Sequence, residues 1–154
     1  MAKKTIVLIL LVVGASIAWW LISPIWRVVE RNDTRPNLSL DNQKESSSGP
    51  TINQLFQGNF QVRAHDVKGG VSVFQSQNGK VLRFENFETI NGPDLRIYLA
   101  ADLNAKDFID LGPIQGTKGN INYNLPSNVD LSRYNKVLVW CRAFHVLFSY
   151  AELR

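Results

Sequence analysis

The chain has 154 residues, 45% of them apolar, which fits one packed domain with appendages and excludes a wholly disordered chain. Its formal charge of +4 is spread thinly, six basic against four acidic residues in 1–50 and eleven against nine in 51–154. No dense basic stripe interleaved with aromatics occurs, which argues against nucleic acid as a partner, and the single cysteine, Cys141, excludes an intramolecular disulfide and a Cys-based zinc cluster.

From Thr5 to Ile22 the sequence is uncharged, and its length approaches the roughly 20 residues that cross a ~30 Å hydrocarbon layer as a helix. Lys3 and Lys4 precede it, and Trp19, Trp20 and Trp26 gather at its far end, where indole rings favour the headgroup level. Residues 1–30 are therefore expected to form a signal-anchor, a single transmembrane helix with its flank, whose partner is the lipid bilayer. A cleaved signal peptide is the alternative, but the apolar run continues past Ser16-Ile17-Ala18 through two bulky tryptophans. Orientation is ambiguous from charge, since Arg27, Arg31 and Arg35 outnumber the two leading lysines. The triplets Asn32-Asp33-Thr34 and Asn37-Leu38-Ser39 favour an external face. Residues 31–50, rich in Asn, Ser and Asp and ending in Ser46-Ser47-Ser48-Gly49-Pro50, read as a polar flexible linker.

After Pro50 short apolar-alternating runs are separated by Gly, Pro and Asn, so residues 51–154 are expected to be all-β. The clearest element is a hairpin around Asn78-Gly79, whose residues tolerate the positive φ of a tight turn; its closure predicts pairs of Val73 with Phe84 and Gln75 with Leu82. Further strands are expected over 56–64, 95–100, 108–111, 121–125, 137–141 and 146–153. The whole predicts an antiparallel sandwich or barrel of about eight strands, preceded by one transmembrane helix.

Serine-triad, phosphate-loop, dinucleotide and metalloprotease signatures are absent, which argues against a conventional enzyme. The reactive residues left are Cys141, His65 and His145. Cys141 lies in Val137-Leu138-Val139-Trp140-Cys141, apolar on both faces, and periodicity alone reads it as a buried small hydrophobe. A redox role needs thiolate character and access, with Arg142 as a neighbouring charge. His145 would share a strand face with Cys141, but two ligands are too few for a metal site. Asp94, after Gly92-Pro93, reads as turn chemistry.

The ordered set Gly58-Asn59-Phe60, His65, Gly70-Val71, Phe84, Phe87, Gly92-Pro93-Asp94-Leu95, Tyr98-Leu99, Gly116, Gly119, Tyr123, Leu125-Pro126, Tyr134, Trp140-Cys141, Phe144, Phe148 and Ala151-Glu152-Leu153 resembles the DM-thirteen (DM13) domain family. That family is described as an electron-transfer domain. The resemblance implies a β-sandwich-like, extracytoplasmic module whose redox centre corresponds to Cys141, with Trp140, Phe144, Tyr123 and His65 as its surroundings. Ser149 stands where the family commonly has glycine, and His145 is outside its pattern. The function so implied is a redox or electron-transfer module, anchored in the cell membrane with its C-terminal domain extracytoplasmic and served by a redox partner protein. No cofactor is expected in the chain itself; haem or metal would come from that partner. The alternative is a non-catalytic cell-surface binding or adhesion module, in which Cys141 is buried and inert.

Overall fold

The structure is a computed structural model and describes residues 2–22, 28–36, 53–76 and 79–154. Residues 37–50 of the expected linker, Trp26, and Asn78 of the expected turn lie outside the described residues.

Helix α1 (Ala2–Ile22) forms from the apolar run. It corrects the expectation of a transmembrane signal-anchor: among the described residues no helix is long and apolar enough to cross a membrane. The uncharged stretch from Thr5 to Ile22 rises about 27 Å at 1.5 Å per residue, short of the ~30 Å of a hydrocarbon core. Within that length Gly14, Ala15 and Ser16 add little apolar surface.

The other described residues build a single nine-stranded sheet: β1 (Glu30–Asn32), β2 (Gln54–Val62), β3 (Val67–Ser76), β4 (Gly79–Thr89), β5 (Leu95–Ala100), β6 (Phe108–Pro113), β7 (Lys118–Asn124), β8 (Lys136–Cys141) and β9 (Val146–Glu152). Their order is β1-β7-β4-β3-β2-β9-β8-β5-β6. This corrects the expected antiparallel sandwich or barrel of about eight strands. The sheet is mixed, because β1 runs parallel to β7 while every other pair is antiparallel. It is also continuous, because β2 pairs with β3 through its first half and with β9 through Phe60, Gln61 and Val62. That partner exchange makes one curled half-barrel out of what alternation alone reads as two packed sheets.

The β3–β4 hairpin forms with a shifted register: Val73 faces Leu82, Val71 faces Phe84 and Gln75 faces Lys80. The expected pairs, Val73 with Phe84 and Gln75 with Leu82, differ from these by two residues. Side chains alternate with period two, so such a shift leaves every residue on its face and the apolar pattern is satisfied equally by both registers.

One face of the curled sheet buries the main core. Val73, Leu82, Phe84, Ile97, Leu99, Ile121, Val137 and Val139 are fully buried there. Phe60, Phe84 and Phe87 meet with ring centroids 4.9 Å apart, and Tyr123 packs on Phe84 at 5.1 Å. Each large side chain so buried contributes about 1.5–3 kcal/mol. The opposite face carries a smaller cluster of Tyr98, Ala100 and Leu138, flanked by Trp140, Leu147 and Tyr150.

Residues 28–36 lie against β7 and β4 and are held by polar contacts. Thr117 N donates to Val29 O at 2.8 Å, Asp33 N donates to Asn120 O at 2.8 Å, and Val29 N donates to Thr117 Oγ1 at 2.9 Å. Arg83, buried on β4, donates through Nη1 to the carbonyls of Asp33 and Thr34 at 3.1 and 3.3 Å and to Asn122 Oδ1 at 2.9 Å. A buried guanidinium must find such acceptors, and the chain segment supplies them.

Candidate functional site

Strand β8 ends at Cys141, and the chain reverses through residues 142–145 into β9. Cys141 faces Leu95 on β5 and Val146 on β9. Ahead of β5, Gly92-Pro93-Asp94 turns over this end of the sheet. Asp94 adopts φ +54, a left-handed conformation that Asp tolerates. Its carboxylate accepts from Arg142 Nε at 2.6 Å, and its carbonyl accepts from Arg142 N at 3.1 Å. The hydrogen bond and the charge of Asp94 push the Arg142 guanidinium above its ordinary value. Arg142 is therefore committed to pinning the turn.

The pinned turn places Pro93 O over the thiol. Cys141 is fully buried, and its Sγ donates to Pro93 O at 3.1 Å. Above Pro93 opens an apolar groove of ≈ 290 Å³, lined by His65, Ile90, Pro93, Phe144, Val146 and Phe148. His65 packs on Phe148 with ring centroids 4.0 Å apart, and its backbone N–H donates to Phe148 O at 3.2 Å. Phe144 stands at the rim, 69% exposed. Two groove residues, Pro93 and Val146, are also direct neighbours of Cys141, so the sulfur lies one layer beneath the groove floor.

Of the residues singled out from the sequence, His65 and Phe144 meet at this groove and Cys141 lies under it. Trp140 is directed to the other face of the sheet, where it stacks on Tyr98 at 6.3 Å. Tyr123 sits in the core on β7; its hydroxyl accepts from Gln115 N at 3.1 Å, and burial pushes its phenol up to about 12. His145 adopts φ +55 in the reversing turn and is exposed. It therefore does not continue the strand of Cys141, because that strand ends four residues earlier. Among the described residues no group of three or more His, Cys, Asp or Glu side chains is placed to hold a metal ion.

Sequence reasoning missed Ile90 and Phe148 as groove walls and read Pro93 as a turn residue alone. The signal available was the proline itself, whose missing N–H and fixed φ suit a turn that offers its carbonyl to a neighbour. Ser149, next to Phe148, buries its hydroxyl with no hydrogen-bond partner among the described residues.

A family model described as "Electron transfer DM13" matches residues 59–153, a span that includes His65, Pro93, Cys141, Phe144 and Phe148. No curated protein and no solved structure matches the chain.

Proposed function

This chain belongs to the electron-transfer DM13 family, and from that premise we propose that it is an extracytoplasmic redox module whose electron-carrying group is the Cys141 thiol. The observation that carries the proposal is the placement of Cys141 Sγ on Pro93 O, directly beneath an apolar groove that a partner can enter. An apolar or planar group of a redox partner protein fits between the His65–Phe148 pair and the exposed Phe144 ring. There it is separated from the sulfur by one layer of protein. Removing one electron from the thiol leaves a thiyl radical, the electron passing to the partner's acceptor and the proton, shared with Pro93 O in the resting state, being released with it. Any disulfide state is intermolecular, because the chain has one cysteine. The partner supplies the haem or metal that such an exchange requires.

The test compares the full chain with Cys141→Ser by protein-film voltammetry. Serine retains a donor facing Pro93 O, so near-ultraviolet circular dichroism should remain native while the thiol-centred signal disappears. A signal that persists in the folded Cys141→Ser protein refutes the redox-thiol reading. A second reading, a non-catalytic binding module, is favoured by the complete burial of Cys141, which is the usual environment of an inert thiol. It predicts no thiol-centred signal from either protein.

A further inference from the structure

A second groove of ≈ 590 Å³ lies on the polar face of the β2–β3–β4 region, apart from Cys141. Its size falls within the ~300–1,000 Å³ of small-molecule clefts. Strand alternation puts Gln57, Asn59 and Gln61 along one wall, about 6.8 Å apart from one to the next. Opposite Gln57 and Asn59 in register stand Ser72, with a small side chain, and Gly70, with none, which leaves the trough open.

The amides are oriented. Gln54 Nε2 donates to Gln57 Oε1 at 2.9 Å, and Tyr150 OH donates to Gln61 Oε1 at 2.7 Å. Both bonds use the carbonyl oxygen, so the Nε2 donors of Gln57 and Gln61 are left for a ligand. Asn59 makes no side-chain hydrogen bond among the described residues, which leaves it both a donor and an acceptor.

The charges at the rim are already paired. Glu85 accepts from Arg35 at 3.0 Å and from Arg83 at 3.3 Å, and Glu152 accepts from Arg154 at 3.1 Å. Among the described residues each cation at the groove is thus shared with a carboxylate, which disfavours an anion, while each carboxylate keeps a second oxygen as an acceptor. Along the groove β3 is paired on both sides, and β2 is paired with β3 on one side and, at Gln57, Phe60, Gln61 and Val62, with the C-terminal residues on the other, which disfavours the addition of a peptide strand.

A ligand that meets several oriented N–H donors and carboxylate acceptors without net charge must carry closely spaced groups that both donate and accept. Hydroxyls do this. We infer that this groove binds a neutral oligosaccharide, with Gln57, Asn59 and Gln61 as its hydrogen-bonding wall. This site is separate from the redox groove and does not depend on the reading of Cys141.

The full chain, isotopically labelled, is titrated with cellohexaose, maltohexaose and chitohexaose, with a heparin hexasaccharide and an extended Gly-Ser peptide as controls. At least one neutral hexasaccharide should shift the side-chain amide resonances of Gln57, Asn59 and Gln61. Gln57→Ala and Asn59→Ala should each weaken that binding roughly tenfold, the loss of about 1.4 kcal/mol expected for a hydrogen bond of this kind. Cys141→Ser should leave it unchanged. The inference is overturned if none of the three neutral sugars shifts these resonances. It is equally overturned if binding survives both amide substitutions, or if only the heparin fragment or the peptide binds.

Discussion

Gly119 and Gly79 both hold backbone angles closed to L side chains, φ +113 and +124, but they differ in what a side chain would meet. A Cβ on Gly79 finds open space, so Gly79→Ala should cost only conformational strain, about 1–3 kcal/mol. A Cβ on Gly119 collides with the Arg31 carbonyl and crowds the Asn32 side chain, both on β1. Relief requires β1 to leave the sheet. Its departure gives up the bonds of Thr117 N to Val29 O, Asp33 N to Asn120 O and Asn122 N to Asp33 Oδ2, all at 2.8–2.9 Å. At about 1 kcal/mol net for each, Gly119→Ala should cost about 3 kcal/mol more than Gly79→Ala. Urea denaturation of the two variants measures the difference, and hydrogen exchange at Asp33 and Thr117 reports whether β1 has left. Equal losses of stability, or intact protection at Asp33 in Gly119→Ala, would refute the reasoning.

Three further outcomes are expected. A chain starting at Val28 should be more stable than one starting at Thr51 by more than about 3 kcal/mol, because the shorter chain loses the same three β1 bonds and also strips buried Arg83 of the Asp33 and Thr34 carbonyls; equal urea midpoints would count against this. The Asp107 carboxyl is held below its ordinary 3.8 by the hydrogen bond from Arg133, then by that from Tyr134. Its contribution to stability is thus present above that ordinary value and lost as pH falls through the lower folded one, so Asp107→Asn should flatten the fall in stability below about pH 4; identical acid slopes in the two proteins would exclude it. Phe144→Ser should leave the fold intact, since the ring is 69% exposed, yet lower the rate at which a redox partner exchanges electrons with Cys141; an unchanged rate would remove the groove from the pathway.

Strands with one buried face were legible because burial writes a period of two into the sequence. In β7 Ile121 and Tyr123 are buried and the asparagines between and after them are not, near the expected 121–125, whereas 95–100 and 137–141, apolar on both faces, were legible as short apolar runs and appear where expected. Strand β1 was not legible. Glu30, Arg31 and Asn32 are exposed and carry no apolar period; their pairing depends on backbone bonds and on Arg83, which lies about fifty residues later in the chain. The hairpin register failed for a related reason, since a two-residue slip is invisible to a pattern of that period. Within the site, chemistry was legible and placement was not. Cys141, His65 and Phe144 were identified by type and by family pattern, but the separation of Trp140 onto the opposite face follows from alternation along β8, which a run apolar on both sides conceals.

The parallel pairing of β1 with β7 sets how the sheet meets mechanical load. β1 is an edge strand, so tension carried through residues 28–36 along its axis loads its bonds to β7 together, in shear, whereas tension across it would break them singly. Arg83 grips the same segment from below at two carbonyls, so the connection should slip at a single threshold rather than yield gradually. Residues 28–36 then behave as a coupling to β7 and β4 with a defined breaking force.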